Sequence, residues 1–272
     1  MSIVMAGLSP HPPIIIPEIG GKEISSVKKT VNSLNSLTQE IVEKKPDVIV
    51  SISPHGPVFS DAVSVFEKKK LEGDFSNFGH PELKYEIDID LNFIDKLQKN
   101  AASENIEVMK IDNNIFNSPG LDHGVLVPLY YLKKNGLKDI PFVNLSMGLL
   151  SYKELYKFGY FIKKTALDCN KKIIVLASGD LSHRLIPGAP AGYNPRGKKF
   201  DELIVKLLKE KKFNELLNID KNLIDKAGEC GLRPIIIMLG SLKNSKVNVD
   251  LKSYEGPFGV GYAVAGFYPE RR

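Results

Sequence analysis

Two cysteines, Cys169 and Cys230, in 272 residues are too few for a disulfide scaffold and rule out cysteine-pair zinc motifs. A chain of this length buries a core large enough to need no such support. No basic leader opens the sequence, and the initial apolar run of MSIVMAGLSPHPP breaks at Ser9-Pro10. No stretch approaches the ~20 apolar residues of a membrane span. The expectation is a cytoplasmic protein with no membrane partner. Arginine is scarce, five among 37 basic residues, and the lysines alternate with acids in helix-like segments such as KKFDELIVKLLKEKKFNELL. At a net charge of +5 this describes solvated helix faces rather than a nucleic-acid groove, so no nucleic-acid partner is expected. GxxxxGK[ST], HExxH and GxSxG are all missing. Gly259-Val-Gly261 with Gly266 has the wrong spacing for a dinucleotide loop, and no helix follows it.

What is present is alternation. Short β-branched runs (2–8, 47–53, 85–89, 107–111, 141–146, 172–178, 247–254 and 260–268) are separated by amphipathic segments (24–44, 91–100, 125–133, 152–170, 198–210, 212–217 and 233–242). In the first of these, Ile24, Val27, Val31, Leu34, Leu37, Ile41 and Val42 fall on one helical face. The pattern predicts an α/β fold: a single domain over 1–272, with a central mixed, mostly parallel sheet flanked by helices on both faces. The last two strands are joined by only Glu255-Gly-Pro-Phe-Gly, which favours an antiparallel pair.

Three of the five histidines directly follow predicted strands, in SPHPP (His11), SPHGP (His55) and SGDLSHR (His183). A fourth, His123, precedes a predicted helix in GLDHG, while His80 reads as a surface loop residue. Ligands of open α/β sheets bind beyond the carboxyl ends of the strands, where side chains from distant segments converge. Proline stiffens the turns that carry His11 and His55, and neutral imidazole is the commonest metal ligand. A mononuclear metal site is therefore expected, with His11 and His55 as its first two ligands. Glu229 and Cys230 are adjacent and either can turn inward as the third. Two histidines with a carboxylate suit non-haem Fe(II), and two with a thiolate suit zinc or copper. The competing reading of Glu229 is an acid at the N-terminus of the following helix.

Taken together, the early His-Pro turn, SPHGP, LDHG, SGDLSH, AGYNPRGKKFD, the ECG turn and EGPFGVGYAVAGF resemble the class III extradiol ring-cleavage dioxygenase superfamily, in the fold of its catalytic component. Within it the sequence is most similar to the dioxygenase-like domain of AmmeMemoRadiSam system proteins, with Memo proteins as more distant relatives. Such proteins commonly continue into a second domain, so a stand-alone form or part of a longer chain is expected. The resemblance implies His11, His55 and Glu229 as ligands of Fe(II), His183 as the catalytic acid–base, and His123 as a catalytic pocket histidine. Asp180 would orient His183.

The implied reaction is ring cleavage of a catechol or aminophenol-like aromatic by O2, within a chain that can form a homo-oligomer. Two alternatives stand beside it. One is a Memo-like protein that binds a metal or partner without turnover. The other is a zinc-dependent hydrolase using the same ligands. Tyr193, Phe258 and Tyr262 are either pocket or core residues, and Arg196 is either a carboxylate anchor or a surface residue.

Overall fold

The computed structural model describes residues 2–111 and 120–270. Its strands are β1 (Ile3–Ser9), β2 (Val48–Ser53), β3 (Ala62–Phe66), β4 (Lys70–Phe75), β5 (His80–Asp88), β6 (Glu107–Ile111), β7 (Phe142–Ser146), β8 (Ile173–Ser178), β9 (Val247–Glu255) and β10 (Tyr262–Pro269). The helices are α1 (Pro17–Gly20), α2 (Lys28–Glu43), α3 (Leu91–Ala102), α4 (His123–Lys134), α5 (Tyr152–Asp168), α6 (Pro195–Lys209), α7 (Phe213–Leu216), α8 (Lys221–Ala227) and α9 (Leu232–Ser241).

Eight strands form one sheet in the order β6-β3-β7-β2-β8-β1-β10-β9. The four in the middle, β7, β2, β8 and β1, are mutually parallel. Their near-continuous apolar runs, VIVSIS in β2 and IIVLAS in β8, are buried throughout, as a strand covered on both faces requires. β10 and β9 add an antiparallel edge, and β3 runs against β7 but alongside β6. The sheet is thus mixed and mostly parallel, as the alternation implied. Helices α2 and α4 pack together over one face, and α3, α5 and α9 form the other layer. One apolar cluster runs through both layers.

Local differences have local causes. The first amphipathic segment begins as 3-10 turns over Gly21–Val27 and becomes α-helical only at Lys28. β3 and β4 flank the lysine run 68–70, where a short apolar stretch and a glycine hid the strand period. α8, also unforeseen, is capped by Asp220 and closed by Gly228 at φ 61°. His80 opens β5 instead of lying in a loop, and it bonds Glu82.

Candidate metal centre

The parallel strands end level. Ser9 pairs with Ser178, Ile52 with Ala177, and Ser53 with Ser146, so a buried serine closes each of β1, β8, β2 and β7. This row of hydroxyls floors the site. Ser178 Oγ lies 2.9 Å from Nδ1 of the buried His11, which leaves His11 Nε2 facing outward. The backbone N–H of His11 donates to Asp180 Oδ1 at 3.1 Å.

Ser53 ties the second strand to α4. Its hydroxyl donates to Asp122 Oδ1 at 2.7 Å and accepts the His55 N–H at 3.2 Å. Asp122 is the N-cap of α4 and accepts from Gly124 N at 2.7 Å, which sets His123 on the first turn beside His55. The His55 and His123 rings lie 4.2 Å apart, and His55 Nε2 is 2.9 Å from His11 Nε2. Ring nitrogens of His11, His55 and His123 all lie within 4.8 Å of one another, the one such His/Cys/Asp/Glu group among the described residues.

β8 lies between β1 and β2, so its turn enters the same space. His183 Nδ1 bonds the Gly228 carbonyl at 2.7 Å, fixing the ring with Nε2 3.9 Å from Asp180 Oδ2. That turn is held from beneath by Asp201 of α6, a fully buried acid that accepts the Ser182 N–H at 2.8 Å and the Tyr254 hydroxyl at 2.7 Å. Ser182 Oγ in turn donates to the Ala227 carbonyl at 2.8 Å. The ECG turn packs directly on β8: a Cβ on Gly179 would stand 2.2 Å from Gly231 Cα, so only glycine allows the contact. Cys230 and Asp180 are consequently cross-linked, Asp180 N to Cys230 Sγ at 3.3 Å and Cys230 N to the Asp180 carbonyl at 3.3 Å.

Cys230 Sγ is 3.6 Å from His11 Nε2. Glu229, expected as the third ligand, is not brought into the histidine group. Its carboxylate accepts the N–H of Leu232, the first residue of α9, at 2.6 Å. The structure therefore sets His11, His55, His123, His183 and Cys230 around one space and turns Glu229 to the helix.

Burial keeps the cluster electrostatically neutral. Together with the neighbouring His55, His123 and His183 rings, it holds His11 well below the ordinary imidazole value. Partial desolvation lowers His55 against the pull of Asp122, and burial with the His55 ring pushes His123 down to about 4. Burial also lowers His183, against the Gly228 carbonyl. Burial raises Asp180 to about 7 and Glu229 to about 7, and lifts the Cys230 thiol. Neutral imidazoles with converging lone pairs are the form that binds a metal. Two nitrogen ligands of one ion stand about 3 Å apart and a nitrogen–sulfur pair about 3.5 Å apart, so the His11–His55 and His11–Cys230 spacings both fit a shared cation. The three-histidine group can hold a metal.

Sequence reasoning missed Ser53, Ser178, Asp122 and Asp201. The serines were visible only as part of the repeated strand-end phrase. Asp201 sits in a lysine-rich helix that reads as solvated. Tyr262 is core at 2% exposure, Tyr193 is exposed, and Arg196 bonds Asn222 on the surface.

Comparison with known proteins agrees with this architecture. Residues 5–265 match the family described as the catalytic LigB subunit of aromatic ring-opening dioxygenase. A protein of Clostridium acetobutylicum is 37% identical over 94% of this chain and 56% of its own length. A MEMO1 family protein of Methanococcus maripaludis is 33% identical over 58% of this chain and 51% of its own. The chain thus spans about half the length of these relatives. The 3,4-dihydroxyphenylacetate 2,3-dioxygenase of Escherichia coli is 25% identical over 85% of this chain and 86% of that one. An uncharacterized Escherichia coli K12 protein of known structure superposes with a TM-score of 0.66 at 16% identity, covering 97% of this chain and 99% of that one, which shows a shared fold.

Proposed function

Because the chain belongs to the family of the catalytic LigB subunit of aromatic ring-opening dioxygenases, we propose that it is a non-haem Fe(II) extradiol-type dioxygenase acting with O2 on a catechol- or aminophenol-like aromatic. The observation that carries this reading is the meeting of His11 Nε2 and His55 Nε2 at 2.9 Å, with His123 beside them, at the carboxyl edge of the sheet. His11 and His55 would hold the iron, with His123 beside them as a third nitrogen in reach. For Glu229 to serve as third ligand, it would first have to release the Leu232 N–H. Bound iron supplies the redox centre at which the aromatic diol and O2 can meet.

The chain's own residues do the proton work. His183 donates through Nδ1 to Gly228, so its neutral ring presents a bare Nε2 that can take a proton from a substrate hydroxyl. Asp180 Oδ2, 3.9 Å away, stabilises the imidazolium that results. The test is metal analysis of protein purified anaerobically, beside a His11→Ala/His55→Ala double variant, followed by O2 uptake with catechols. About one iron per chain, lost in the variant, together with iron-dependent uptake, is the expected result. Absence of iron and of uptake across a catechol panel would refute the proposal.

One observation favours a second reading. Cys230 Sγ lies 3.6 Å from His11 Nε2, and a thiolate there would suit zinc or copper and a Memo-like role in binding without turnover. Zinc or copper in place of iron, lost on Cys230→Ser, would select it. A Glu229→Gln variant that loses metal would instead restore the carboxylate as ligand.

A further inference from the structure

Seven large apolar side chains are exposed among the described residues, and four of them lie on the loops that follow β2, β7 and β8. Val58 is three residues beyond His55, Ile186 three beyond His183, and Leu149 three beyond Ser146 at the end of β7. Tyr193 follows on the same loop as Ile186. The fifth, Phe78, comes from the tip of the β4–β5 hairpin, which pairs with no strand of the main sheet. Scattered exposed apolar residues need no explanation, but apolar side chains on the loops that also carry convergent polar groups are how small-molecule sites are built.

Phe78 is the informative member. The hairpin tip is pinned from below: Phe75 is fully buried, Asp74 Oδ1 accepts the Ser76 N–H at 2.8 Å, and Gly79 turns the chain back at φ 82°. This anchoring holds the Phe78 ring edge-on to His123 with centroids 5.7 Å apart, although the side chain stays 39% exposed. An aromatic ring kept in water beside a histidine of the metal group is a surface waiting for a second ring.

We infer that Phe78 is the wall on which the substrate ring stacks, and that the substrate is an aromatic diol with an apolar rather than a charged substituent, met by exposed apolar side chains of the loops after β2, β7 and β8. This rests on reading the histidine cluster as a site for an aromatic diol, but its test does not need turnover.

The chain has no tryptophan, so Phe78→Trp places a single fluorescent reporter at the wall. In metal-free and in Zn(II)-loaded protein, 4-tert-butylcatechol should quench it saturably, and more tightly than 3,4-dihydroxybenzoate. Acetohydroxamate, a metal chelator without a ring, should leave it unquenched. By calorimetry on Zn(II)-loaded protein, Phe78→Ala should weaken 4-tert-butylcatechol roughly three- to tenfold, the size of one lost aromatic pair, and leave acetohydroxamate unchanged. Equal loss for both probes would overturn the inference, since Phe78 would then shape the metal site and not the ring site. Tighter binding of the benzoate would overturn the apolar substituent. No quenching by either catechol would overturn the wall. Failure of the dioxygenase reading is seen separately, as missing iron and missing O2 uptake.

Discussion

Asp201 offers a sharp test of how the His183 turn is held. It is fully buried, forms no ion pair among the described residues, and its two oxygens take the Ser182 N–H and the Tyr254 hydroxyl. Burial pushes its carboxyl up from 3.8 to about 7. The folded protein therefore keeps a proton that the unfolded chain releases. Stability from this group is complete below about pH 4 and is lost as pH rises to about 7, after which the loss levels off. Three pH units at about 1.4 kcal/mol each make the full loss ~4 kcal/mol, of which ~2–3 kcal/mol falls between about pH 5 and about pH 8. Asp201→Asn keeps an acceptor for Ser182 and presents an amide to the Tyr254 oxygen, but it cannot ionise. Urea unfolding of metal-free wild type and variant at those two pH values measures the difference. Asp180 and Glu229 titrate in both proteins and largely cancel on subtraction. The variant should gain ~2–3 kcal/mol on wild type as pH rises through that range. A difference that stays constant with pH would refute the reasoning, because Asp201 would then be ionised in the native state at both values.

Replacing His183 with Ala should slow catechol-dependent O2 uptake by roughly 10²–10⁴ while bound iron is retained, and loss of iron instead would contradict its role as the proton acceptor. Ser53→Ala cuts the link from β2 to the α4 cap, so metal affinity should fall about 10- to 100-fold with little change in fold, as read by competition with a chelator. Gly179→Ala forces a methyl to 2.2 Å from Gly231 Cα, backbone against backbone. It should destabilise the protein by roughly 1–3 kcal/mol or more in denaturant titration, and an unchanged midpoint would mean that the ECG turn is free to move off β8.

The sheet was legible because its middle strands are continuous apolar runs, and periodicity reports those directly. β3 escaped for the opposite reason: a five-residue run beside three lysines carries too little signal. At the site, the histidines were legible because they follow strands, and strand ends are where an α/β sheet gathers side chains. The choice between Glu229 and Cys230 was not, since adjacent residues in a turn point in different directions that only packing decides. Here the Gly179–Gly231 contact aims Cys230 at Asp180, while the free N–H of Leu232 captures Glu229. Asp201 was illegible because a buried acid on an amphipathic lysine-rich helix has the same pattern as an exposed one. The place of Phe78 depends on a hairpin that reaches the cluster from outside the main sheet, a relation no local pattern encodes.

The position of β8 has a consequence for how the protein comes into being. It is the last of the four parallel strands to be made, yet it is the one inserted between β1 and β2. During synthesis the first two histidine turns therefore exist without the element that sets them in register, and the Ser178 hydroxyl that orients His11 arrives 167 residues later. Pairings this distant in sequence close slowly, so the central strand is a natural late step. Ion capture then becomes a property of the finished chain. A metal ion would report completion of folding and, by binding only that state, would lock the last strand in place.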